Sequence, residues 1–134
     1  MKRYLLDTNI CIYFLNGKFN LDKKIKEIGG LKECLISEIT MTELKFGAAN
    51  SKRVKENTKV VKQLADTLTI LPIYNCLDIY ASEKARLRKV GNPVDEFDLL
   101  IGASAVANKL ILVTKNTKDF ARIKGIKLED WTIS

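Results

Sequence analysis

"RYLLDTN", residues 3–9, sets an apolar run directly against a carboxylate. Tyr4, Leu5 and Leu6 predict a short buried strand over 3–6, with Asp7 at its carboxyl end. The following "DTNICIYFLNG" (7–17) predicts a helix, with Asp7 or Thr8 near its start and Gly17 just past its end. A charged side chain at that junction needs a reason, because burying an unpaired carboxylate is costly.

The same alternation continues along the chain. Leu21, Ile25 and Ile28 have helical spacing, with Lys23, Lys24 and Lys26 on the outer face, and Gly29-Gly30 ends that helix. "ECLIS" (33–37) predicts a second strand and "TMTELKFGAA" (40–49) a helix. Val54, Val61, Leu64, Ala65 and Leu68 form the apolar stripe of another helix. "LTILP" (68–72) predicts a third strand, ended by Pro72. A basic helix over 76–89 runs into a break at Gly91 and Pro93. "DLLIGASAVAN" (98–108) predicts an apolar helix and "LILVT" (110–114) a fourth strand. A helical turn at 116–122 and a stretch toward Trp131 close the chain. Short apolar strands alternating with helices predict an α/β fold with a parallel sheet covered on both faces. In such sheets ligands bind beyond the carboxyl ends of the strands.

The composition narrows the chemistry. The 134 residues suit one domain over 1–134, with 46% apolar and 29% charged residues as in globular chains. The apolar runs are too short to span a membrane, and Asp7 cuts the only leader-like start, so the expected location is the cytoplasm. Cys11, Cys34 and Cys76 lack metal-type spacing and read as buried, reduced thiols. With no histidine, a histidine base and the usual zinc sites are excluded. Any metal must be held by oxygen, which points to Mg2+ or Mn2+. The net charge of +7 reads equally as solubility or as a polyanionic partner, nucleic acid or an acidic protein.

Four acids follow strands or open helices: Asp7, Glu43, Asp98 and Asp119. Each has a plainer reading. Thr40 and Glu43 fit a capping box, Asp95 and Asp98 a cap with a first-turn acid, Asp7 a cap for the first helix, and Asp119 a solvated turn. Together they are harder to set aside. Two carboxylates about 4 Å apart repel by roughly 4 kcal/mol at an effective dielectric near 20. Four around one pocket call for protons or a divalent cation. Such an ion can orient and polarise a phosphate and acidify a water.

Four segments carry a family resemblance: "LLDTNICIYFL", "ISEITMTELKFGA", "GNPVDEFDLLIGASA" and "LVTKNTKDFARIKGIKLEDW". In order and spacing they resemble the motifs of PIN-domain ribonucleases, and among these the VapC-type toxins of bacterial toxin–antitoxin pairs. The resemblance covers nearly the whole chain. It implies a three-layer sandwich around a parallel sheet of four to five strands. It places the family's acidic quartet on Asp7, Glu43, Asp98 and Asp119, holding one or two Mg2+ or Mn2+ ions that activate a water against RNA. The cut would leave a 5′-phosphate and a 3′-hydroxyl. Asn9 and Thr114 match polar positions that support the aspartates, and Asn116 one beside the fourth acid; Thr8 is expected to cap the first helix. Lys115 and Asp95 depart from the pattern: a lysine where many relatives are neutral, and an extra acid. The resemblance further implies a homodimer, a VapB-type antitoxin that inserts a peptide near the acids, and a tRNA substrate, with the initiator tRNA anticodon loop as one target. Lys45, Lys84, Arg86, Arg88, Lys89 and Lys115 are candidates for contacts to the RNA backbone, or simply solvated charges.

Two other readings compete with this one. A phosphorelay receiver would explain "VTK" (113–115), but the first strand offers one acid where a pair is needed. A catalytically dead RNA- or protein-binding module would keep the fold without needing the full quartet.

Overall fold

The computed structural model describes residues 2–133. Five strands form one sheet: β1 (Tyr4–Leu6), β2 (Cys34–Ser37), β3 (Thr69–Leu71), β4 (Ile111–Val113) and β5 (Lys127–Glu129). Their order is β3-β2-β1-β4-β5, and every neighbouring pair is parallel. β1 is therefore central, with Tyr4 opposite both Cys34 and Ile111. Strands buried on both faces need continuous apolar sequence, and β1 and β2 have only buried residues.

Among the described residues, seven α-helices connect and cover the strands: α1 (Thr8–Leu15), α2 (Leu21–Glu27), α3 (Glu38–Ala49), α4 (Val54–Thr67), α5 (Leu77–Lys89), α6 (Glu96–Ala107) and α7 (Thr117–Phe120). The core divides into two clusters, one on each face of the sheet. Leu6, Ile10, Ile36, Leu44 and Leu64 belong to one cluster. Leu5, Leu35, Leu99, Ile101, Leu112 and Phe120 belong to the other. Neighbouring residues Leu5 and Leu6 thus serve opposite faces, as the two-residue period of a strand requires. All three cysteines are free and buried. Among the described residues no helix is long and apolar enough to cross a membrane.

The structure shifts several boundaries. α3 begins at Glu38, two residues before the expected start, because Ser37 caps it by accepting the Ile39 N–H at 3.0 Å. α6 begins at Glu96, capped by Asp95. The stretch before Trp131 contains the fifth strand, an edge strand of three residues, two of them charged.

Gly102 marks the closest approach of α6 to the segment after β4. A Cβ at Gly102 would lie 2.3 Å from Ile123 Cδ1 and 3.4 Å from Phe120 Cδ1. Both neighbours are fully buried. Gly102→Ala is expected to lower stability by about 1–3 kcal/mol through overpacking, read as a shifted midpoint in urea. An unchanged midpoint would show that Ile123 can turn aside without cost.

Candidate active site

The acids gather at the carboxyl edge of the sheet. Asp7 follows β1 directly and is 5% exposed. It caps α1: one carboxylate oxygen accepts the Thr8 N–H at 2.8 Å. The other accepts the Thr114 hydroxyl at 2.8 Å. Thr114 follows β4, is fully buried, and accepts the Asn116 N–H at 2.9 Å. One hydroxyl thus ties the ends of β1 and β4 together. Asp7 is a cap, as its simpler reading held, and it is also a fixed carboxylate at the sheet edge.

Glu43 lies in the second turn of α3, not at its start, so the capping-box reading fails. Its carboxylate accepts the Thr8 hydroxyl at 2.6 Å. Thr8 Oγ1 also lies 3.1 Å from the buried Thr40 Oγ1. With its single proton given to Glu43, Thr8 accepts from Thr40. Thr8 therefore does not cap α1; it joins α1 to α3.

Asp98 is the third residue of α6, and its N–H faces the Asp95 carboxylate at 3.5 Å. Burial pushes the Asp98 carboxyl up to about 6, followed by the charges of Asp7, Asp95, Glu43 and Asp119. Burial also raises Asp7, with Glu43 adding to the rise, against the bonds from Thr114 and the Thr8 N–H. The quartet thus shares one electrostatic environment, and Asp95 stands in it as a fifth acid. Asp119, on α7, pairs with Arg122 at 3.1 Å. Arg122 also donates to the Pro93 carbonyl at 2.8 Å, joining α7 to the loop before α6. Among the described residues, Asp7, Glu43 and Asp98 are in no ion pair.

The remaining expected residues divide. Thr114 supports Asp7. Asn9 is exposed and bonds to none of the acids among the described residues, so the support expected of it is not seen. Asn116 contributes its backbone N–H at the start of α7. Arg86 is not free for RNA: its guanidinium donates twice to Glu83, at 2.7 and 2.8 Å, and once to the Arg122 carbonyl. Lys84 is held by Glu96 at 2.8 Å and by Tyr80. Lys45, Arg88, Lys89 and Lys115 are exposed. Sequence reading missed the Thr8–Glu43 bond, for which no local pattern exists. It also missed Arg122, whose place three residues after Asp119 on a helical turn was a usable signal.

The donor set is all oxygen, which suits Mg2+ or Mn2+. Among the described residues no three acids close tightly enough to cage an ion by themselves. Mg2+ does not need such a cage, because it keeps several waters and takes one or two carboxylates. Mutually repelling acids at the sheet edge fit such an ion.

Thr114→Val tests the tie between strands. It deletes the donor to Asp7 and orphans the Asn116 N–H, so a loss of about 1–3 kcal/mol is expected in urea unfolding. Mn2+ affinity, read by titration, should fall about 10–100-fold, as for lost partners of metal ligands. Affinity equal to wild type would remove Thr114 from any role in the site.

The comparisons agree with this geometry. A model of the PIN domain matches residues 4–126. The chain is 32% identical to the tRNA(fMet)-specific endonuclease VapC of Shigella flexneri, over 98% of this chain and 100% of that one. It is 34% identical to ribonuclease VapC2 of Haemophilus influenzae (strain Rd), over 98% and 99%. Among solved structures, DNA-bound VapBC from Salmonella typhimurium superposes with a TM-score of 0.86 at 30% identity, covering 98% of this chain and 99% of that one. The sheet order, the acids at its carboxyl edge and these matches lead to one assignment: the chain belongs to the PIN-domain family, within its VapC branch.

Proposed function

We propose that the protein is a Mg2+- or Mn2+-dependent endoribonuclease, the toxin of a type II toxin–antitoxin pair, acting in the cytoplasm on tRNA. The observation that carries this reading is the cluster of like charges at the sheet edge. Four acids gather at one edge of the sheet and couple electrostatically without a histidine, and among the described residues only Asp119 has a cationic partner. Their mutual repulsion has a use if a divalent ion and a phosphate are to be held there.

Asp7 and Asp98 would hold the ion, with Glu43 and Asp119 flanking. Each oxygen of Asp7 accepts one hydrogen bond and retains a free lone pair, so Thr8 and Thr114 fix its direction without using it up. Thr8 does the same for Glu43. Arg122 restrains Asp119. A bound divalent ion supplies charge against the scissile phosphate and lowers the pKa of a water. The chain's own part is to aim the carboxylates before RNA arrives.

The relatives' names support RNA as substrate, and one of them names an initiator tRNA. The VapBC complexes among the solved relatives support a VapB-type antitoxin. An apolar groove of about 540 Å³ between α3 and α4, lined by Met41, Ala48, Val61, Ala65 and Ile70, suits an apolar segment of such a partner. Glu43 lines the adjoining groove with Ile12, Leu15 and Val60, so a partner seated there reaches the acids. A homodimer belongs to the same proposal.

The test is incubation of antitoxin-free protein with total bacterial RNA, with Mg2+ or Mn2+ and with chelator, beside Asp7→Asn. Discrete tRNA fragments that vanish with chelator and with the variant are the expected result. Intact RNA under every condition, from folded protein, would shift the reading to an RNA- or protein-binding module.

A further inference from the structure

The residues joining α1 to α2 have an unusual backbone. Phe19 and Asn20 are consecutive non-glycine residues in the left-handed region, at φ 61° and 52°. For a bulky side chain this conformation costs about 1–2 kcal/mol, and such strain gathers at functional positions. Its effect here is to stand the Phe19 ring at the surface, 42% exposed. The ring meets Tyr13 edge to face, with centroids 5.0 Å apart. Lys115 Nζ lies 5.3 Å from the Phe19 centroid and 5.9 Å from that of Tyr13. Beyond Phe19 opens a groove of about 360 Å³ lined by Lys23, Lys24, Glu27 and Trp131. Lys24 Nζ lies 5.9 Å above the Trp131 ring.

Sheet topology places this surface beside the acids. Asp7 follows β1, Lys115 lies two residues past β4, and Trp131 two past β5. These strands are consecutive neighbours. At about 4.8 Å per strand, the three residues follow one another along the carboxyl edge. A second basic surface groove, with Lys2, Arg3, Lys109 and Lys127, lies at the amino ends of the strands, on the opposite edge. The basic helix α5 has Lys84 and Arg86 already paired. Lys23, Lys24 and Lys115 are in no ion pair among the described residues. The nearby acids Glu129 and Asp130 are turned to Trp131 Nε1 and to Thr132.

We propose that Phe19, with Lys115, Lys23 and Lys24, forms a subsite for the single-stranded RNA that flanks the cut. One base stacks on Phe19, and the backbone phosphates run past the three lysines. This rests on the ribonuclease reading and adds a place for the strand. An exposed aromatic ring beside unpaired cations is the pattern by which single strands are held irrespective of sequence. Lys115 sits over the ring in the free protein, so the ring is already oriented.

The test is fluorescence anisotropy with an eight-nucleotide single-stranded RNA, in an Asp98→Asn background that prevents cleavage. Phe19→Ala should weaken binding about 5- to 150-fold, and Phe19→Tyr should restore it. Replacing bases of the RNA one at a time by abasic sites should cost wild-type Phe19 affinity at one position and Phe19→Ala none. Lys23→Ala and Lys24→Ala should each reduce the salt slope of log K by about 0.7. Thermal melts report folding, and the lysine variants keep the test open if Phe19→Ala unfolds. Binding by Phe19→Ala within twofold of the parent, with unchanged salt slopes in the lysine variants, would overturn the subsite. So would loss of affinity for an antitoxin with RNA binding intact, which would make the surface a protein contact. Cleavage by the protein with Phe19→Ala binding unchanged discards the subsite alone. Weakened binding without any cleavage by wild type discards the nuclease reading alone.

Discussion

Asp98→Asn is expected to abolish RNA cleavage and yet to raise the melting temperature of the metal-free protein. Both effects have the same origin. In the folded protein the Asp98 carboxyl is pushed up to about 6 by burial and by four neighbouring acids. Unfolded, it titrates near 3.9. A raised folded value means that the unfolded state holds its negative charge more readily. The penalty is therefore full above about pH 6 and disappears as the pH falls toward 4. Allowing for its partial exposure, it amounts to about 1–2 kcal/mol at neutral pH. In chelator, wild type should melt several degrees higher at pH 5 than at pH 7.5, and Asp98→Asn should lose most of that difference. Mn2+ at pH 7.5 should raise the wild-type melting temperature and leave the variant nearly unmoved. Cleavage should fall at least about 10²–10³-fold, the loss expected for one well-placed electrostatic group. Cleavage near the wild-type rate would remove Asp98 from the mechanism. A variant no more stable than wild type in chelator would mean that the acids do not repel as their arrangement requires.

Glu83→Ala should be strongly destabilising although Glu83 lies away from the acids. Glu83 is 7% exposed and belongs to no expected site. It accepts two bonds from Arg86 and the Lys124 N–H at 2.6 Å. Arg86 in turn donates to the Arg122 carbonyl at 2.7 Å. The bonds from Arg86 first, then the Lys124 N–H, hold the Glu83 carboxyl below its usual range. The pair therefore stabilises the fold above the ordinary carboxyl pKa and loses that effect as the pH falls through the lowered one. Removing the carboxylate leaves a guanidinium and a backbone N–H without their acceptor, a loss of about 2–3 kcal/mol once the exposure of Arg86 is allowed for. The melting temperature should drop by roughly 10 °C at pH 7. Arg86→Ala should cost a comparable amount, because the Lys124 N–H reaches only Glu83 Oε1 and Oε2 of the buried carboxylate loses its donor. A drop under 2 °C for Glu83→Ala would show that the segment after β4 is held by apolar contacts alone.

The strands and the acids were legible in the sequence for the same reason. Short apolar runs such as Leu5-Leu6 and Leu112-Val113 can serve only a sheet buried on both faces, and a carboxylate at the end of such a run stands out. β5 was not legible because Lys127, Leu128 and Glu129 form an edge strand that needs no apolar run. The start of α3 was misplaced because Thr40 and Glu43 imitate a capping box, while Ser37 makes the cap. Bonds across 32 to 107 residues, such as those from Thr8 and Thr114, leave no local trace. The basic helix α5 misled most. Its positive charge is plain in sequence, but whether Arg86 is available depends on Glu83 and Arg122, and only the folded chain shows that both hold it.

The place of β1 bears on how this protein is made. It precedes the other four strands in the chain, yet its two neighbours are β2 and β4. The Asp7 N–H waits for the Val113 carbonyl, and the Asp7 carboxylate for a hydroxyl 107 residues later. At ordinary translation speeds that interval is on the order of ten seconds. Throughout it the N-terminal half has the leading aspartate but neither Asp98 nor Asp119, and no partner on one edge of its central strand. A growing chain therefore carries no assembled pocket. The acidic cluster and the bonds that hold it can assemble only after β4 and α7 have left the ribosome.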